Sequence, residues 1–205
     1  MLTFARLGPK ETAGVVRFGR AGIYLTKGTY VGFADGLWLM DPVSGASRQL
    51  APTGYPEGVS DDGTVWLGRI NPNDPRPHLV IDAGNAPDEI DRLDPSTGQT
   101  VAWLYRPGEA LWLIGFDYSG RLLVIDERGT EGTAEAVPFM LEVVLSPNHT
   151  RTLLTYLPQV NEGPSVITDD RGTWVGGEPG VFLYSQDGSF RKVASVFGRP
   201  VGPCR

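Results

Sequence analysis

The stretch from Ile167 to Gly177, ITDDRGTWVGG, places a polar Asp-Asp-Arg-Gly turn between two short apolar runs and ends on paired glycines. An earlier stretch from Val59 to Gly68, VSDDGTVWLG, has nearly the same layout. Glycine supplies the positive φ that such turns require, and the Asp side chain bonds to the backbone ahead of it. Two well-separated copies of one hairpin predict a repeated β-structure.

Two kinds of hairpin alternate along the chain, four times each. The first has a turn ending in Gly before an apolar strand: GRAGIYL, DDGTVWLG, DYSGRLLVI and DDRGTWVGG. The second has an apolar strand, a polar turn and another strand: LWLMDPVSGASRQL, IDRLDPSTGQTVAWL, LEVVLSPNHTRTLL and VFLYSQDGSFRKV. Each pair of hairpins forms an antiparallel meander of four strands, A to D, over about 40 to 55 residues, which is the period of a propeller blade.

The predicted fold is therefore all-β, a β-propeller-type array of about four four-stranded antiparallel blades in one domain over residues 1–205. The expected blades are 13–52, 53–106, 107–158 and 159–197. The end segments MLTFARL and RPVGPC resemble an outer and an inner strand without the rest of their blades. Three arrangements fit: a closed four-bladed ring, an open section of a ring of roughly six to eight blades, or half a ring completed by a second copy. A different all-β fold is the remaining alternative.

Composition limits the class of partner. The 205 residues carry a formal charge of −6 and no cluster of Lys or Arg, which argues against nucleic acid, because nucleic-acid binding needs a dense basic patch. No apolar run approaches the roughly 20 residues of a membrane helix, so no membrane insertion is expected. The single cysteine, Cys204, excludes an intrachain disulfide. We expect a soluble chain, cytoplasmic as written, or exported if a signal segment precedes it.

The repeat resembles bacterial β-propeller repeats of the two-component-regulator sensor type and their virginiamycin B lyase-like and NHL-like relatives. YPEGVSDDGTVWLG and GPSVITDDRGTWVGG are the clearest copies, and LDPSTGQTVAWL is similar to the outer hairpin of that group. The resemblance covers nearly the whole chain and is specific for fold, since such repeats occur in proteins with many activities. It implies that the D–A and B–C connections lie on one face, around an axial channel, and carry the site.

The candidate site residues follow from that expectation. The D–A connections hold three glutamates, whose carboxylates would converge on one channel and hold Ca²⁺ or Mg²⁺ or orient a cationic ligand. The B–C connections are the least repetitive segments, and 68–89 is a long insertion of the kind that often carries binding specificity. The candidate ligand-binding residues are Glu11, Tyr30, Phe33, Tyr55, Arg69, Arg106, Glu109 and Glu162. The competing interpretation is that they are solvated loop residues.

Two classes of function remain from the sequence. The first is a binding or sensor module that recognises a small molecule or a protein through loops on one rim. The second is a lyase or hydrolase, resembling the virginiamycin B lyase group, with carboxylates and a divalent metal near the axis. Histidine chemistry fits poorly, because His78 lies in a Pro-rich loop and His149 in a C–D turn. We name no catalytic residue, and unpaired end strands also permit self-association or docking onto missing blades.

Overall fold

The computed structural model describes residues 11–19, 22–29, 37–51, 55–69, 87–94, 96–127, 138–156, 164–196 and 198. For residues 11–19, 26–29, 55 and 56 the description covers the backbone alone. These parts of the chain form β-strands joined by turns, without a helix. No helix among them has the length and apolarity needed to cross a membrane.

The strands form four antiparallel sheets of four strands each, and within every sheet the neighbours follow chain order. The first sheet holds β1 Glu11–Gly19, β2 Gly22–Thr29, β3 Leu37–Met40 and β4 Ser47–Ala51. The second holds β5 Tyr55–Val59, β6 Val65–Arg69, β7 Glu89–Leu93 and β8 Thr100–Tyr105. The third holds β9 Ala110–Phe116, β10 Leu122–Glu127, β11 Phe139–Ser146 and β12 His149–Tyr156. The fourth holds β13 Ser165–Asp169, β14 Gly172–Gly177, β15 Gly180–Ser185 and β16 Phe190–Ala194.

This architecture confirms the predicted all-β fold of four repeated four-stranded sheets. Each sheet is a meander in which the first and second predicted hairpins supply the two halves, as blades of a propeller-type array do. The described strands fall into two compact units, β1–β8 and β9–β16. Closure of the blades into one ring, and the single domain over 1–205, stay predictions.

In the first unit, two sheets share one apolar core. Strands β2 to β4 contribute Tyr24, Leu37, Leu39, Leu50 and Ala51, and strands β5 to β7 contribute Val59, Val65, Leu67 and Leu93. The alternation of side chains along a strand places one apolar row of each sheet in this core. The inner strands β1 and β5 also contact each other. The second sheet is therefore held on one face by the first.

The second unit repeats this packing. Leu123 and Val143 of the third sheet pack with Tyr184 of the fourth, and the inner strands β9 and β13 contact each other. A methyl group placed on Gly115 of β9 would lie 3.2 Å from Val166 Cβ of β13, so the two backbones approach closely where glycine leaves room. Because each sheet covers a face of its neighbour, neither is stable alone.

The turns at one end of the sheets use Asp side chains to hold the backbone. Asp62 Oδ1 accepts a hydrogen bond of 2.9 Å from the Thr64 backbone N–H, and Asp169 Oδ1 accepts one of 2.9 Å from Arg171. Hydrogen bonds from the Ser60 hydroxyl and the Thr64 backbone lower the pKa of Asp62. The interpretation of these Asp-rich stretches as turn formers is confirmed.

Candidate functional site

The predicted site residues fall into three groups in the structure. Arg69 ends β6, and Arg106 and Glu109 lie in the connection between β8 and β9. Glu11 begins β1 and Tyr55 begins β5, and for both the description stops at the backbone. Tyr30, Phe33 and Glu162 lie outside the described residues. The convergence of Glu11, Glu109 and Glu162 on one channel therefore stays a prediction.

Arg106 and Glu109 belong to a tight turn in the second unit. The Glu109 backbone N–H donates to the Arg106 carbonyl oxygen at 3.0 Å, and Gly108 between them takes a φ of 81°. Arg106 Nη2 donates to Thr150 Oγ1 of β12 at 3.1 Å. Arg106 therefore ties the connection to β12, the outer strand of the third sheet, a structural role that the sequence does not predict.

Arg69 takes part in a charged cluster at the ends of β6 and β7. In the pairing of these strands Arg69 lies opposite Glu89, and Leu67 lies opposite Asp91. Directly opposed residues point to the same face of a sheet, so Arg69, Glu89 and Asp91 share one face. Arg69 Nε forms an ion pair with Asp91 Oδ2, and its Nη2 donates to Thr100 Oγ1 of β8 at 3.3 Å.

The acidic side of this cluster is buried. Asp91 is 3% exposed and Asp88, directly before β7, is fully buried. The Asp88 backbone N–H donates to the Arg69 carbonyl oxygen at 3.0 Å, which extends the β6–β7 pairing by one residue. Asp91 Oδ1 is buried without a hydrogen-bond donor, although Oδ2 of the same carboxylate is paired with Arg69. A buried carboxylate oxygen that lacks a hydrogen-bond donor lowers the free energy of unfolding, so a donor at this oxygen would stabilise the protein.

Glu89 provides that donor when it carries a proton. Its hydrogen bond with the Asp91 side chain, its burial and the negative charge of Asp91 raise the pKa of Glu89 to about 7, against the opposing charge of Arg69. Asp88 adds a further, smaller upward contribution. Glu89 therefore keeps its proton up to near neutral pH, in a hydrogen bond with the Asp91 side chain. We call Arg69, Asp88, Glu89 and Asp91 the rim cluster.

The rim cluster lies where the long B–C connection leaves β6 and returns to β7. Its shared face is also the face of Val65, Leu67 and Leu93, which belong to the core between the two sheets of the first unit. The cluster thus forms the polar end of that core. The buried apolar side chains next to the cluster fix the positions of its polar side chains, as a preorganised site requires.

A further carboxylate lies nearby on β5. A methyl group placed on Gly68 would lie 2.5 Å from Glu57 Oε1 and 2.8 Å from Pro87 Cγ. Glycine at this position therefore lets the Glu57 side chain and the end of the B–C connection pack against β6. Because Gly68 alternates with Arg69 along β6, this packing lies on the opposite face of the sheet from Arg69, Glu89 and Asp91.

The third sheet has a buried carboxylate at the position equivalent to Asp91. Leu67 and Val124 each lie four residues after the turn glycine of their hairpin, and their partners on the next strand are Asp91 and Glu142. Glu142 is 2% exposed and accepts a hydrogen bond of 3.1 Å from Thr152 Oγ1. The third sheet also has a second buried carboxyl group, Asp126, on the face of Glu142, so the second sheet differs in having an arginine, Arg69, beside its carboxyl groups.

The sequence-based prediction names Arg69 as a candidate and omits Asp88, Glu89 and Asp91. The sequence pattern places these three residues at the end of an insertion and in an outer hairpin. One signal was available: in the stretch Glu89 to Leu93, EIDRL, strand alternation places Glu89 and Asp91 on the same face as the apolar Leu93. Charged residues on a core-facing row indicate a functional or paired site.

No protein-family model matches the chain, and no curated protein matches its sequence. Within the described ranges, no three His, Cys, Asp or Glu side chains are grouped so that they could hold a metal ion. The expected Ca²⁺ or Mg²⁺ site stays a prediction. The rim cluster therefore has to be interpreted from its own contacts.

Proposed function

We propose that the protein is a binding module that takes up a cationic group, an ammonium or a guanidinium, at the rim cluster. The observation that supports this proposal is the buried Asp91 Oδ1, for which the proton of Glu89 is the donor that the cluster itself offers, while Glu89 and Asp91 share one face with the Arg69 guanidinium. A cationic donor would satisfy that oxygen and offset the excess negative charge together.

The positions of the side chains suit this role. Asp91 is buried and Glu89 on the same face is only partly buried, so Glu89 is the carboxyl group that a ligand would meet first. Charge attraction is stronger beside a low-dielectric core than in water, so a partly buried carboxyl pair holds a cation better than a surface pair does. The formal charge of −6 on the whole chain also favours approach of cations over anions.

The scaffold explains how such a site discriminates between ligands. The rim cluster is carried by strands whose other ends are fixed in the core between two sheets, so binding requires little ordering of the site itself. The B–C connection that leaves from Arg69 is the segment in which sequence varies most freely between repeats. In this proposal the strands supply charge, and the connection supplies the shape that selects one small molecule or protein partner.

The test uses agmatine, a small molecule with an ammonium and a guanidinium, a short peptide with one arginine, and succinate as an anionic comparison. Saturation-transfer NMR and thermal shift would be measured for the native chain and for Glu89→Gln, which keeps size and removes the ionisable group. Asp170→Asn is the matched control, because it removes one carboxylate from an exposed turn.

We expect both cationic probes to bind the native chain and Asp170→Asn, weaker binding to Glu89→Gln, and no binding of succinate. A peptide that binds about tenfold or more tightly than agmatine would identify a protein partner as the source of the cation. The proposal is wrong if neither cation binds, or if Glu89→Gln binds them as tightly as the native chain.

The alternative of a propeller enzyme with an axial metal has no contact among the described residues in its favour. His149 is exposed at the start of β12, and His78 lies outside the described residues.

A further inference from the structure

We infer that a proton and the cationic ligand compete for the same two carboxyl groups, Glu89 and Asp91, so that the module releases about one proton when it binds. This inference rests on the proposed function, because it concerns the same site and the same class of ligand. It makes the module a pH-dependent binder.

The competition follows from the two oxygens of Asp91. Oδ2 is occupied by Arg69 Nε, and Arg69 is fixed further by its hydrogen bond to Thr100. Oδ1 is buried and can take one more donor. In the unliganded protein the protonated Glu89 carboxyl group, which bonds to the Asp91 side chain and lies on the same face, is the donor within reach. A ligand ammonium or guanidinium that reaches Oδ1 meets Glu89 as well, and it gains an ion pair there only after Glu89 has lost its proton.

The charges around Glu89 favour the proton when no ligand is present. On its own strand these are Asp88 and Asp91, and across β6 the opposing residue is Arg69. On β8 the opposing residue is Tyr105, and the Glu57 carboxylate of β5 lies beside Gly68, which alternates with Arg69 and therefore faces away from Glu89. Among the described residues of β6 and β7, Arg69 and Asp91 are the charged side chains that share the face of Glu89. Consistently, the pKa of Glu89 is raised to about 7, first by its hydrogen bond with Asp91.

The direction of the pH effect follows because the proton occupies the site before the ligand binds. Below a pH of about 7 the ligand has to displace a proton, so its affinity falls as the pH falls, by about tenfold per pH unit for one coupled proton. Above that pH the proton has already left, and the affinity becomes constant. The cationic groups of agmatine stay charged throughout this range, so the change belongs to the protein.

Two measurements test the inference. Agmatine binding would be followed by calorimetry between pH 5.5 and 8.5, in two buffers of different ionisation enthalpy at each pH, which gives the number of protons released. The unliganded chain would be titrated by carbon-13 NMR of the Glu side-chain carboxyl groups, with the Glu89 signal assigned from its loss in Glu89→Gln.

We expect release of nearly one proton at pH 6, affinity at least about tenfold weaker at pH 5.5 than at pH 7.5, and a Glu89 carboxyl signal that titrates near neutral pH. Asp170→Asn should keep this pH dependence, and residual binding to Glu89→Gln should lose it. Equal agmatine affinity at both pH values, or a Glu89 signal that titrates near pH 4.5, overturns the inference alone. Absence of agmatine binding even at pH 8.5 overturns the proposed function, and the inference falls with it.

Discussion

At the scale of single residues, two acidic side chains at opposite ends of β7 have pKa values that are shifted in opposite directions. Asp94, in the turn after β7, accepts hydrogen bonds from the hydroxyl and the backbone N–H of Ser96, which lower its pKa to about 2. Glu89, at the other end of β7, meets carboxyl groups instead, and its pKa is raised to about 7. The turn carboxylate stabilises the fold when it is ionised, whereas Glu89 does so when it is protonated.

The raised pKa of Glu89 predicts how stability changes with pH. Because the folded chain holds the Glu89 proton more tightly than the unfolded chain, this contribution is complete below about pH 4.5 and is lost as the pH rises through about 7. Relative to Glu89→Gln, the native chain should lose about 1 kcal/mol of unfolding free energy between pH 5 and pH 8, after allowance for solvent screening. Urea denaturation at both pH values measures this difference.

Asp94→Asn serves as the control for this experiment. Its contribution is present above about pH 4 and is lost only as the pH falls towards 2, so the variant should be destabilised equally at pH 5 and pH 8. Parallel stability curves for the native chain and Glu89→Gln would contradict the assigned proton.

At the scale of elements, a turn of one sheet is bonded to the next sheet in the second unit. Asp117 is 4% exposed; its Oδ1 accepts from the Arg121 backbone N–H at 2.9 Å and its Oδ2 from Arg121 Nε at 2.8 Å. Arg121 Nη2 then donates to the hydroxyl of Tyr184, a buried residue of β15, at 3.2 Å. The β9–β10 turn therefore fixes its own backbone and the neighbouring sheet through one guanidinium.

The repeat offers a matched comparison for this contact. Arg171 pairs with Asp169 in the equivalent turn of the fourth sheet, but there the arginine is 66% exposed. We expect Arg121→Lys to lower the unfolding free energy by about 1 to 2 kcal/mol, because lysine loses the planar fork that reaches both Asp117 and Tyr184. Arg171→Lys should cost less than about 0.5 kcal/mol, as exposed ion pairs do. Urea denaturation of both variants measures the change in unfolding free energy, and equal decreases for the two would refute the bridging role of Arg121.

At the scale of the whole molecule, the sequence predicts the repeat well and the site only in part. Turn formation depends on local chemistry such as Asp62 bonding to Thr64, so the hairpins can be recognised without the structure. The rim cluster depends on the register of β6 against β7, which opposes Arg69 to Glu89 across a long connection. Register across such a connection is set by packing of the apolar rows and is not encoded in any short motif. The division into two compact units is set by packing in the same way.

The shared core of the first unit predicts that its two sheets open together. Leu67 is fully buried among side chains from both sheets, so Leu67→Ala should cost about 2 to 5 kcal/mol and leave a cavity that touches both. Hydrogen exchange should then become faster in β2 to β4 as well as in β5 to β7, because the core is one cooperative unit. Val101→Ala, at a residue of β8 that is 61% exposed, should leave exchange unchanged. Faster exchange confined to β5–β8 would mean that the second sheet holds its register, and with it the rim cluster, without support from the first.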